Sequence, residues 1–248
     1  MLTDDQKGHF ETLGCLVLKD FLPTQEIDLY RNAFEDALTK ANGAPWDKAP
    51  ARHQVYPFFK HNPDVYNRLL DDERVNEVLT DLLGEGYTFT VSEAIKHWTR
   101  TGWHHDAVAA EHHTHLKILL FLDETRTETG CLYVIPGSQY LPYRERMEQH
   151  GSSILVLGAD VPGAYAIETV PGDAIIFNVK CYHGAFPDGM RRGLYLNFMG
   201  KPQNEADVEY IWSVGGQGNW YTPELWENAP PQRASMLKFW EERRDAAA

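Results

Sequence analysis

The chain has 248 residues, with 36 acidic against 23 basic side chains and a formal net charge of −13 at pH 7. That balance excludes a nucleic-acid binder, because phosphate contacts need concentrated lysine and arginine, and the pairs Arg191-Arg192 and Arg243-Arg244 are too short to form a basic stripe. Hydrophobic residues at 43% and aromatics at 12% suffice for a real core, while the longest purely apolar run, 118–122, is far too short to span a bilayer.

In chain order, Thr3 with Gln6 three residues later forms a capping-box start for a helix running to about Leu13. Cys15 to Leu18 reads as a strand. Pro23-Thr24 then opens a helix with Ile27, Tyr30, Phe34 and Leu38 at helical spacing, core rather than site. The region 41–60, holding Trp46, Arg52, His53, Tyr56 and Phe58-Phe59, is irregular and borders either a substrate pocket or an ordinary packed loop. Helical segments follow near 65–70 and 74–83, the second ended by Gly84. From Tyr87 the pattern turns to strands, near 87–98, 115–122, 131–135, 164–170, 174–178 and 191–200. The glycine- and aromatic-rich stretch 210–226 is either a lid or a set of aromatic pins, and a helix near 231–244 carries Met236, Leu237 and Trp240 as one stripe for the barrel or a second subunit.

Helices first and strands after, joined by Gly/Pro turns, predict an α+β order with N-terminal helices packed on one sheet of a jelly roll. No linker or repeat divides the chain. It reads as one domain over 1–248, mainly helical over 1–86, jelly-roll core over 87–200, and C-terminal extension and helix over 201–248. No basic stretch precedes an apolar run at the N-terminus, so no signal peptide is expected. Three widely spaced cysteines, Cys15, Cys131 and Cys181, point to reduced thiols in the cytoplasm.

The chemistry gathers around Trp103-His104-His105-Asp106. Residues two apart on an extended strand point to the same side, so His104 and Asp106 can grip one metal ion, and Tyr182-His183-Gly184 offers a third ligand. Two imidazoles and one carboxylate leave other coordination positions free, the arrangement of non-haem Fe(II) oxygenases. A His-x-Asp pair alone is a weak signal among eleven histidines. Its company strengthens it: a Pro171-Gly172-Asp173 turn, an apolar strand 174–177, His183, then 190–198. There Leu194, Leu196 and Phe198 make one face, and Arg191, Gly193, Tyr195 and Asn197 the other. An arginine suits a small dicarboxylate. Strand parity favours Arg191 over Arg192, and a slip of one residue reverses that choice. By the same alternation His105 points away from the site. His112 and His113 read as exposed loop residues and His115 as a strand residue, and a structural zinc site is disfavoured without cysteine ligands or paired spacing. Cys181 reads as a packed strand residue.

With these motifs in view, the chain resembles the phytanoyl-CoA hydroxylase-like family of Fe(II)/2-oxoglutarate dioxygenases. The resemblance rests on Trp103-His104-His105-Asp106, on Leu122-Asp123-Glu124-Thr125 with the block from Thr129-Gly130 through Ile135-Pro136-Gly137-Ser138-Gln139, and on Pro171-Gly172-Asp173 through His183-Gly184 to Arg191. It implies His104, Asp106 and His183 as iron ligands and Arg191 as the anchor for the distal carboxylate of 2-oxoglutarate. Thr101 stands three before His104, where relatives often carry a glutamine that touches the cosubstrate, and is assigned to the same contact. The chain departs from the family pattern at Thr129, at Gln139 and over 185–188. The presence of Asp106 argues against the halogenating relatives, where a small residue opens that position to chloride.

The implied activity is hydroxylation of an unactivated C–H bond in a small-molecule metabolite, often of secondary metabolism. It uses Fe(II), O2 and 2-oxoglutarate, with ascorbate as a possible reductant, and releases succinate and CO2. Desaturation, cyclisation or epimerisation on the same iron site stays open. So do a cupin-like metal-binding module without oxygenase activity and a metal-dependent isomerase or hydrolase. Tryptophans 46, 103 and 212 favour a ring-bearing or apolar substrate unless they are core. No membrane or nucleic-acid partner is expected, and the chain acts as a monomer or homodimer.

Overall fold

Alternation along the strands decides which side chains face the helices and which face inward. The computed structural model describes residues 1–42, 52–106 and 112–247. They form α1 (Asp4–Leu13), β1 (Cys15–Leu18), α2 (Thr24–Asn42), β2 (Arg52–Val55), α3 (Pro63–Asp71), α4 (Glu73–Leu83), β3 (Thr88–His97), β4 (Thr101–His104), β5 (His115–Phe121), β6 (Cys131–Val134), α5 (Leu141–Leu155), β7 (Tyr165–Ile167), β8 (Ala174–Asn178), β9 (His183–Phe186), β10 (Arg191–Met199), α6 (Glu205–Val214), α7 (Pro223–Trp226) and α8 (Pro231–Ala247). The strands make two antiparallel sheets, one of six in the order β1-β8-β5-β10-β3-β2 and one of four in the order β4-β9-β6-β7.

On β5, Leu116, Ile118 and Leu120 join a core shared with the helices, while Leu119 and Phe121 turn to the other face. There they meet Leu132, Val134 and Ile167 from the four-stranded sheet, so the two sheets pack face to face as a jelly roll. The same period governs β10, where Leu194, Leu196 and Phe198 are fully buried on the helix side and Arg191 and Tyr195 line the interior.

The helical layer follows its sequence signals. Thr3 and Gln6 make both hydrogen bonds of the capping box. Ile27, Tyr30, Phe34 and Leu38 of α2 are buried against the sheet, and Gly84 caps α4. Phe58 and Phe59 stack at 4.6 Å and belong to this helix-side core, not to a pocket. Trp46 lies outside the described residues. The stripe Met236, Leu237 and Trp240 of α8 docks on the barrel, with Trp240 Nε1 donating to the Phe89 carbonyl at 2.7 Å.

Six elements lie where the sequence pattern shows no strand or helix of its own: β2, β4, β9, α5, α6 and α7. The three strands and α7 are only four residues long each, too short to display a period, and α5 and α6 lack a clear apolar stripe. Cys15, Cys131 and Cys181 are buried free thiols. Among the described residues no helix is long and apolar enough to cross a membrane.

Candidate metal centre and cosubstrate cavity

Strand register brings the two histidines face to face. In the antiparallel pair β4–β9, His104 stands directly opposite His183, and their ring centroids lie 4.3 Å apart. Asp106 arrives differently from the sequence argument: β4 ends at His104, so strand alternation does not extend to it. Instead its backbone N–H donates to the Val179 carbonyl at 2.9 Å, at the end of β8, which turns its carboxylate back. Asp106 Oδ1 then lies 3.5 Å from His104 Nε2 and 3.7 Å from His183 Nε2. One ligand atom from each of the three residues falls within 4.8 Å of the others, the one such group among the described residues.

The backbone prepares both imidazoles as ligands. His104 Nδ1 is 2.8 Å from the Gly102 carbonyl and His183 Nδ1 is 2.9 Å from the Cys181 carbonyl. A carbonyl can only accept, so Nδ1 carries the proton and the Nε2 lone pair faces the centre. Two imidazoles that present Nε2 and a carboxylate, converging on one point, fit a divalent iron ion, whose binding takes the place of any proton on His104 Nε2. Burial pushes His183 down to about 4, so its ring is neutral at neutral pH. Burial also opposes protonation of His104, but the Asp106 carboxylate and the Gly102 carbonyl outweigh it and raise that pKa. Asp106 likewise pays a desolvation penalty, yet Lys117 and the two histidines hold its carboxyl far below the usual carboxylate range.

Motif residues outside the triad have structural duties. Ser138 Oγ donates to the Ile135 carbonyl at 2.6 Å and accepts from the Tyr182 N–H at 2.8 Å, fixing the approach to His183. Asp173 is buried and accepts from Lys19 and from the backbone of Asp20 and Val170. Gln139 Nε2 reaches the carbonyls of Glu11 and Thr12 in α1. The thiol of Cys181 turns toward Gly14 and Gln139, away from the triad, as a packed residue.

Arg191 and Thr101 enter the same cavity as the triad. The guanidinium of Arg191 is buried, donating to the carbonyls of Thr99 and Gly189 at 3.2 Å each and to Thr101 Oγ1 at 3.3 Å. No carboxylate among the described residues pairs with it, and burial lowers its pKa. Arg192 points the other way and is taken up by Asp123 and Glu35. The cavity, about 150 Å³, is walled by Leu119, Phe121, Leu132 and Phe177. Past Asp106, Glu93 and Lys117 it meets a wider opening of about 330 Å³, bordered by Gln54, Tyr56, Asn197 and Trp220.

Of the histidines near the motif, His113 departs from its sequence reading, while His105, His112 and His115 agree with theirs. His113 is buried, not exposed, because its Nε2 bonds the Gly200 carbonyl at 2.8 Å. His112 pairs with Asp207, and His115 is a strand residue bonded to Tyr210 and Asn197. His105 turns away from the triad toward Tyr182 and Glu148. Trp103 packs on Tyr133 and Phe186, and Trp212 packs on Trp240, so neither lines the cavity. The aromatic pair at the mouth is Tyr56 with Trp220, ring centroids 4.4 Å apart. Lys117 was not singled out by the sequence reading. Its signal is a lone cation in the apolar strand 115–121, sharing parity with Leu119 and Phe121.

The family model described as phytanoyl-CoA dioxygenase (PhyH) matches residues 10–193. Curated protein sequences give no match. Among solved structures, HygX from Streptomyces hygroscopicus, with nickel and 2-oxoglutarate bound, superposes with a TM-score of 0.65 at 19% identity, covering 82% of this chain and 88% of that one. EctD from S. alaskensis, with 2-oxoglutarate and 5-hydroxyectoine, gives 0.62 at 21% identity over 80% of this chain and 76% of that one. The non-haem α-ketoglutarate-dependent carbocyclase SnoK from nogalamycin biosynthesis gives 0.64 at 18% identity over 80% and 84%. The family match spans most of the chain and takes in the His-Asp-His group, the facing sheets and the buried arginine: the chain belongs to the PhyH family of Fe(II)/2-oxoglutarate-dependent dioxygenases.

Proposed function

We propose that the protein oxidises an unactivated C–H bond of a small-molecule metabolite. In this reading His104, Asp106 and His183 hold Fe(II), and Arg191 with Thr101 holds the distal carboxylate of 2-oxoglutarate. One observation carries it: a single cavity contains both a three-donor metal group and a buried guanidinium that no carboxylate among the described residues meets at ion-pair distance. A buried cation is costly unless an anion meets it, and a dicarboxylate cosubstrate supplies one. When bound, iron and 2-oxoglutarate supply the oxidant, with O2 consumed and succinate and CO2 released.

The chain's own residues do the rest. Gly102 and Cys181 carbonyls orient the histidines. Thr99, Thr101 and Gly189 fix the guanidinium. The apolar wall of Leu119, Leu132 and Phe177 excludes water from the reacting centre. The substrate enters past Tyr56 and Trp220, and which of its carbons faces the metal decides the outcome. The structural likeness to a carbocyclase keeps cyclisation beside hydroxylation. Three buried free thiols support a cytoplasmic setting, with ascorbate serving as reductant and the chain acting as a monomer or homodimer.

The test is anaerobic titration with Fe(II) and 2-oxoglutarate, followed by a succinate-release screen across metabolite classes. A weak visible charge-transfer band that needs both additions is expected, and coupled succinate release identifies the substrate. Fe(II) binding with no response to 2-oxoglutarate overturns the reading in favour of a metal-binding module.

A further inference from the structure

Asp106 divides its two oxygens between different tasks. Oδ1 faces both histidine Nε2 atoms, whereas Oδ2 accepts from Lys117 Nζ at 2.5 Å. We propose that Lys117 is a positioning residue that keeps Asp106 a one-oxygen ligand, reserving coordination positions for the keto acid end of the cosubstrate. This inference rests on the functional reading above.

The lysine is held for that task. Its backbone lies in the middle of the six-stranded sheet, registered against Phe177 on β8 and Asn197 on β10. The side chain is buried between the rings of Phe177 and Tyr195, 5.8 and 5.7 Å from their centroids. Among the described residues Asp106 is its one ion-pair partner. Glu93 borders the same opening without an ion pair to Lys117, and the Lys117 charge opposes protonation of His104, His115 and His183.

A carboxylate beside a divalent cation can chelate with both oxygens and so occupy a second position. An ammonium fixed on Oδ2 prevents this. Electrostatics shows that the lysine is not there to strengthen metal binding, because a cation next to the metal repels it and draws charge from its ligand. Removing Lys117 therefore separates two affinities that a merely structural residue would move together.

The experiment compares wild type, Lys117→Met and Lys117→Arg without oxygen, reading the Fe(II) Kd by chelator competition and the 2-oxoglutarate Kd from the charge-transfer band. For Lys117→Met the Fe(II) Kd stays level or tightens while the 2-oxoglutarate Kd rises about tenfold, the lower end of losses at groups that orient metal ligands. Lys117→Arg restores the wild-type values. An unchanged 2-oxoglutarate Kd, or parallel weakening of metal and cosubstrate, overturns the proposal. Melting of the metal-free proteins checks folding, and Lys117→Gln replaces Lys117→Met if the latter does not fold. A wild type without any 2-oxoglutarate-dependent band sinks the functional reading, whereas a normal band in Lys117→Met sinks the role of Lys117 alone.

Discussion

Arg191 and Arg192 are adjacent in sequence and stand on opposite faces of β10, one lining the cavity of the His-Asp-His group and the other paired outside with Asp123 and Glu35. The two therefore fail in different ways when replaced. Arg191→Met raises the KM for 2-oxoglutarate by about 100-fold, the equivalent of losing charge-assisted hydrogen bonds of about 3 kcal/mol, while metal binding persists. Arg192→Met leaves that KM near wild type and lowers the melting temperature, because Asp123 loses its cationic partner and keeps only the backbone N–H of residue 192. Steady-state kinetics and melting of both variants check this. Equal effects on KM would return the choice between the two arginines to the open state that a one-residue slip creates.

Parity made Arg191 legible because alternation is a local property of a strand. Gly130, which the motif carries without a local explanation, has its reason in the structure. Gly130 has φ +91°, and a Cβ there would come within 2.8 Å of the Pro187 carbonyl and 3.2 Å of Arg191 Nη1. What the sequence hid are meetings between distant segments. Tyr56 finds Trp220 across the cavity mouth, His113 finds the Gly200 carbonyl, and Lys117 finds Asp106. Each side chain alone reads as loop, surface or strand, and only the fold supplies its partner. The position of Asp106 was reached by a route that alternation along β4 does not provide, since a hydrogen bond to Val179 places it.

The carbonyls behind His104 and His183 fix which nitrogen faces the centre of the triad, so on the proposed reading replacing either ring removes a metal ligand that no neighbour can supply. His104→Ala and His183→Ala each reduce iron-dependent succinate formation to the level of metal-free protein, with the metal-free fold retained by circular dichroism. Metal content after reconstitution falls in both. Retained coupled turnover in the two variants would sink the triad.

Trp220 faces Tyr56 at the outer opening, on the far side of Lys117 and Asp106 from Arg191. Its removal therefore acts on the substrate and not on the cosubstrate. Trp220→Ala raises the substrate KM roughly two- to tenfold, the range expected for one aromatic contact, and leaves the 2-oxoglutarate charge-transfer titration unchanged. A loss of 2-oxoglutarate affinity in this variant contradicts the division of the cavity into an inner and an outer part.

Acid sensitivity follows from histidines that the fold keeps neutral. Burial pushes His97 and His115 down to about 3 each, with nearby cations adding to the effect, and burial holds His183 at about 4. Unfolded histidine titrates near ~6.5. Above that pH neither state carries the proton, and the stability contribution is complete. As pH falls below about 6.5 the unfolded chain takes up a proton at each site while the folded chain does not, so stability falls by about 1.4 kcal/mol per pH unit per histidine. His104 has a raised pKa and works the other way: its contribution is already complete below about 6.5 and is lost as pH rises through the raised value, so it adds no slope in the acid window. Urea unfolding of metal-free protein between about pH 6.5 and pH 5, where carboxylates stay ionised, should show stability falling steeply with acid. His97→Gln and His115→Gln should each flatten the slope by about one proton. A stability that does not change across that window would mean that these imidazoles are already protonated inside the fold.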